Sequence, residues 1–285
     1  MIRLDAATVL LQWAAGGLLF LWVTTRAREV GIGYGWLVRG VYILMAAGAL
    51  AVGMATNTVP VREASSLAVC LAAGAALAVS IVRRKAGVAG ERERIAKRSE
   101  RIVAMTGIDR RPDPEGPDGS LPEFPPVLDL IAPLVAVPGL VAAGIDAGDP
   151  AWLSVARVLV GAAFLGAISD GMLLGHWYLV QPGLARRPLL EMVRWTGLVW
   201  PAEVALLLVP TGMASVLSGS IDDGYNGMLG WFWVACAVTT IGLVIVTRAA
   251  LKERYYSAVM AATGLLYLAI LTAFGTDLVA RALLA

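Results

Sequence analysis

Four ionisable side chains lie in or beside long apolar runs of this 285-residue chain: Asp129, Asp170, His176 and Glu203. A lone carboxylate in hydrocarbon costs about 3 kcal/mol on insertion scales. Such a group takes a proton or finds a cation or a hydrogen-bond donor. Asp170 precedes the proline-containing stretch Gln181 to Pro188 by 11 residues, and Glu203 follows it by 15. At the helical rise these positions lie about 16 and 22 Å from the turn, so the spacing predicts two carboxylates at similar depth on neighbouring helices. That arrangement suits a shared proton or a bound cation. Thr196, Trp200 and Glu203 follow the i, i+4, i+7 stripe and share one helix face. Pro201 and Pro210 bracket the carboxylate and free backbone carbonyls that could line a polar pocket.

His176 is the only histidine. A bis-histidine haem is therefore excluded, as are zinc and di-iron sites built on several histidines. Cys70 and Cys236 stand singly in apolar runs, read as buried thiols, and suggest no metal site. A quinone headgroup fits better, because it needs a proton-exchanging donor and an aromatic wall near the interface. His176, Trp177, Tyr178 and Asp129 supply those groups. The competing reading makes Trp177 and Tyr178 an inner aromatic belt, with His176 bonded to a neighbouring helix. Arg157 reads as a side chain snorkelling to the outer face.

The elements that position these groups follow from composition. Hydrophobic residues make up 58% of the chain and charged residues 15%, with a mean hydropathy of +0.74. A soluble domain carries about a quarter charged residues. Backbone groups in lipid must be satisfied internally, and runs of about 20 apolar residues select helices over a barrel. The predicted fold is all-α, a polytopic membrane bundle of about eight helices over 6–25, 34–56, 64–82, 126–145, 152–180, 190–216, 228–247 and 256–280. The first reads as a retained helix rather than a cleaved signal. The fifth is too long for one upright span and must tilt, break near Gly171 or Gly175, or enter the interface. Gly171 and Gly175 also form a GxxxG pair suited to close helix contact.

Nineteen of the 23 Lys and Arg residues fall on one side of this topology. The positive-inside rule then places both ends outside, N-out and C-out, in a bacterial cytoplasmic membrane. The chain divides into helices at 1–82, a basic cytoplasmic loop at 83–125, and further helices at 126–285. Within the loop, Ile95, Ile102 and Met105 recur on one helical face, and 83–101 is strongly basic. The segment reads as an amphipathic helix on anionic lipid headgroups or as a charged helix continuing the third span. Residues 109–126 read as an irregular linker. No phosphate-binding loop appears, so nucleotide chemistry is not implied and nucleic acid is not a partner. Neither half of the chain visibly repeats the other.

Gly175-His176-Trp177-Tyr178-Leu179, followed by Pro182 and Pro188-Leu189, resembles a signature of poorly characterised bacterial polytopic membrane proteins. The resemblance covers some 15 residues. It implies the same architecture and a central role for the histidine turn, and supplies no activity. The leading expectation is an integral membrane subunit or accessory protein of a redox or proton-handling system, within a membrane complex. Its site would lie at the inner side of the fifth and sixth helices, built from Asp170, His176 and Glu203. One alternative is a proton- or ion-coupled small-solute transporter using the two carboxylates. The other is a structural or assembly protein without a site. No residue set specifies an enzymatic reaction.

Overall fold

The computed structural model describes residues 2–106, 117–181, 183–209 and 212–284. All regular structure among them is helical. The helices are α1 (Ala6–Thr25), α2 (Ile32–Ala55), α3 (Pro60–Val82), α4 (Ala89–Thr106), α5 (Ile131–Asp146), α6 (Ala151–Val180), α7 (Arg187–Leu208), α8 (Met213–Leu217), α9 (Met228–Ala250) and α10 (Tyr256–Leu283). Seven are long and apolar enough to cross a membrane: α1, α2, α3, α5 with the 3-10 turn before it, α6, α9 and α10. This is a multi-pass helix bundle. α7 is as long but carries Arg187, Glu191, Arg194 and Glu203, and packs along α6 and α9.

Two boundaries differ from the sequence expectation. The sixth predicted span, 190–216, is divided: α7 stops at Leu208 and the short α8 follows. Proline at 210 has no N–H to extend the helix, and the residue before it avoids the helical region. Val209 is accordingly extended, at φ −70° and ψ 166°. α4 does not continue α3, because Gly87 interrupts the chain at φ +60°, a conformation that glycine adopts without a steric cost. The first part of the expected 109–126 linker lies outside the described residues. The long fifth span is one unbroken helix of 30 residues.

Contacts at the helix ends define the topology. At one end Arg3 Nη1 meets Asp146 Oδ2 at 3.0 Å, Arg62 pairs with Asp5, and Arg281 Nη1 donates to the Arg3 carbonyl at 3.3 Å. At the other, Arg26 pairs with Glu191 and Arg186 donates to the Leu251 carbonyl. Successive long helices therefore alternate in direction, and both chain ends lie at the Arg3–Arg281 end.

The long helices form two groups, α1–α2–α3–α5 and α6–α7–α9–α10, that meet where α6 packs against α1 and α5. Both central helices are buried over most of their length. They cross where Gly16 faces Ala162 and Gly166, so closely that a Cβ on either glycine would strike the opposing backbone. Small residues permit this approach in membranes, where no hydrophobic force drives helices together. The Gly171/Gly175 pair is used only in part. Gly175 abuts Thr263 of α10, whose hydroxyl donates to the Gly175 carbonyl at 3.0 Å, while Gly171 is packed more loosely. The peripheral helices expose Leu44, Leu71, Leu134, Trp231, Ile245 and Leu271. Outward apolar side chains on every side suit a lipid solvent.

Candidate functional site

α10 carries Asp277 and Arg281 one turn apart, both fully buried. Spacing i, i+4 brings them together. Arg281 Nε donates to Asp277 Oδ2 at 2.7 Å, and Nη2 donates to Gln12 Oε1 on α1. Gln12 reaches this point past Gly161, where a Cβ would collide with its amide nitrogen. From α6, Arg157 donates through Nε to the Leu206 carbonyl at 2.9 Å and through Nη2 to Val209 at 3.0 Å. The helical donor for Leu206 would be the N–H of residue 210, which proline lacks. Arg157 therefore closes the end of α7. It is 1% exposed, so the expected snorkelling side chain is instead an interior one.

Glu203 of α7 completes the group. It is 1% exposed, and its charged neighbours are Asp277, Arg281 and Arg157. Neither of its oxygens accepts a hydrogen bond among the described residues. Asp277 Oδ1, Gln12 Nε2 and Arg157 Nη1 are likewise unpartnered. Five orphaned buried polar atoms thus belong to one interior cluster. Two guanidinium groups and two carboxylates influence one another there through a low dielectric, and among them Arg281 and Asp277 form the one ion pair. Asp277 is held by Arg281, whereas Glu203 has charge nearby and no bond. A carboxyl group so placed is suited to exchanging a proton or drawing in a cation. Among the described residues, no group of three or more His, Cys, Asp and Glu side chains forms a metal site.

No known family, curated protein or solved structure matches this chain.

The structure does not bring the sequence-derived site residues together. Asp170 is fully buried but faces α2, where the Tyr42 hydroxyl donates to Oδ1 at 2.6 Å. Beside it, the Tyr34 hydroxyl donates to the Asp170 carbonyl, and Trp13 Nε1 donates to Ser169 at 2.7 Å. The hairpin register explains the separation from Glu203. Gly171 lies opposite Met192 and Arg157 opposite Leu206. Glu203 is thus level with residue 160 of α6, about 15 Å along the helix from Asp170. The depth estimate failed because α6 projects past the start of α7, so the two helices do not leave the turn at one level.

Asp129 is also committed elsewhere. Arg39 donates to both its oxygens at 2.8 Å, Thr25 donates at 3.1 Å, and the guanidinium stacks 4.5 Å from the Phe124 ring centroid. His176 is exposed on α6, with Nδ1 3.3 Å from the Tyr267 hydroxyl. Trp177 donates to Gln181 at 3.0 Å, the buried Tyr178 donates to the Ala185 carbonyl, and Trp200 donates to the Ala237 carbonyl at 3.1 Å. Trp200 packs towards α9 and contributes no group to the cluster. Sequence reasoning missed Gln12, Asp277 and Arg281. The last two carried a usable signal, an acid–base pair at i, i+4 inside an apolar run.

Proposed function

We propose that this protein binds and releases protons inside the bilayer, at Glu203 in the cluster formed with Gln12, Arg157, Asp277 and Arg281. It would act as an integral subunit or accessory protein of a proton-handling or redox system. The observation that carries this reading is a fully buried carboxyl group, on a membrane-length helix, with both oxygens unpartnered beside three charged side chains. A purely structural role accounts poorly for it, since an unpartnered buried carboxyl stabilises nothing. The reading keeps Glu203 from the sequence-derived set and moves the site from the inner side to the half nearer the chain termini.

The proposed setting is a bacterial cytoplasmic membrane crossed eight times, with α7 as the eighth span and both termini outside. The side-by-side termini support an even number of crossings. Basic residues concentrated at the opposite end support its placement inside.

Infrared titration of the purified protein tests the proposal. A carboxyl C=O band should appear and vanish with pH and be absent in Glu203→Gln. An identical titration in that variant would refute the reading. A coupled transporter would use the same cluster, and would show proton- or sodium-dependent uptake in liposomes that Glu203→Gln abolishes.

One observation favours a second reading. His176 is presented outward with Tyr267 at hydrogen-bond distance, so a quinone could approach laterally from lipid. Quinone retained by the purified protein should then be lost in His176→Ala, and unchanged occupancy would dismiss the idea.

A further inference from the structure

We infer that α4 and the α6–α7 turn form a groove for the phosphate-bearing headgroup of an anionic phospholipid. α4 is held at its start, where Gly90 N donates to the Arg28 carbonyl at 3.0 Å. Beyond that point it packs extensively against no other helix. A groove of about 440 Å³ opens between it and Gln181 and Gly183. Arg94, Lys97, Arg98 and Arg101 line it with Glu91, and Lys97 is already paired with Glu93 on the same helix. With Lys97 neutralised by Glu93, three arginines against Glu91 leave a net positive groove that complements a phosphodiester lacking a compensating amine.

The apolar surroundings select a lipid as the source of that phosphate. Ile95 is 51% exposed within the groove and Met105 is 85% exposed on the same helix face. Met105 is almost bare and Ile95 about half so, and both suit insertion among acyl chains. On the other wall, α6 ends in Leu179 and Val180, which are exposed at the same end of the bundle. Exposed apolar side chains, at Ile95 in the groove and at Leu179 and Val180 just before Gln181, thus adjoin a cluster of cations, as acyl chains adjoin the phosphate of a lipid. This inference is independent of proton handling at Glu203.

Native mass spectrometry of the full-length protein, titrated with phosphatidylglycerol or phosphatidylcholine, tests the inference. The wild type should retain phosphatidylglycerol preferentially. Neutralising Arg94, Lys97, Arg98 and Arg101 to Gln should remove the preference, with each single arginine change weakening retention about fivefold. Glu91→Gln should strengthen retention, and it decides the matter if the quadruple variant fails to fold. Equal retention of the two lipids, unchanged preference in the quadruple variant, or no gain in Glu91→Gln would overturn the inference. So would displacement of the lipid by millimolar inorganic phosphate, which would mark a site for the free ion.

Discussion

Arg157 holds the carbonyls of Leu206 and Val209, so one side chain of α6 terminates its neighbour α7. Arg157→Met should leave both carbonyls without this donor, at a cost of about 1–3 kcal/mol for each. Thermal unfolding in detergent should show a clear loss of stability. Arg157→Lys should restore little, because an ammonium group lacks the planar two-nitrogen fork. Full rescue by lysine would contradict the capping role.

Glu203 and Asp277 interact electrostatically and have opposite expected behaviour. Asp277→Asn removes the ionic partner of a buried guanidinium and should destabilise by about 3–5 kcal/mol. Glu203→Gln removes no hydrogen bond, so stability should hold or rise while the proton response is lost. Equal destabilisation by the two changes would show that Glu203 is a structural ion-pair partner.

Arg39 and Asp129 form a buried bidentate pair. Arg39→Met alone should cost about 3–5 kcal/mol because it strands a buried carboxylate. The double variant Arg39→Met/Asp129→Leu should recover much of that loss. A double-mutant cycle checks this, and simple additivity would contradict it.

The crossing of the two central helices was hidden in the sequence, although the helices themselves were plain. Apolar runs and charge bias marked seven of the long elements and the basic loop, because hydrocarbon imposes length and composition directly. Register was not legible. The placement of Asp170 beside Glu203 assumed that α6 and α7 leave their turn at one level, and no residue between 181 and 188 states that they do not. Azimuth was equally silent: α6 is buried nearly all round, so its pattern cannot say that Asp170 faces Tyr42. Gln12 was passed over as a single amide in an apolar run, and its role appears only once Arg281, 269 residues away, folds against it.

Gly166→Leu should be among the most damaging apolar substitutions, since the added side chain meets the Gly16 backbone. Overpacking costs about 1–3 kcal/mol when neighbours can shift, and backbone cannot shift readily. Folded yield should collapse, whereas Gly242→Leu, at a position open to its surroundings, should be tolerated.

Asp223 organises the start of α9. Partial burial pushes its carboxyl up, but the N–H groups of Gly227, Tyr225, Leu229 and Gly230 outweigh this and hold it below the ordinary carboxylate range. A depressed folded value means that the stabilisation is present above the unfolded pKa of about 4 and is lost as pH falls through the folded value. Hydrogen exchange at Leu229 and Gly230, corrected for intrinsic rates, should stay protected at neutral pH and open in strong acid. Asp223→Ala should open these amides at every pH.

The two helix groups are joined in sequence only by the short connection between Asp146 and Ala151. Beyond the α5–α6 packing beside that connection, they are held by the glycine crossing, Gln12 with Arg281, Trp13 with Ser169, Tyr42 with Asp170, and Arg26 with Glu191. In physical terms the chain is a heterodimer that happens to share one backbone. Its halves, made as separate polypeptides divided at Gly148, should therefore associate in a bilayer, and co-purification of the two would show it.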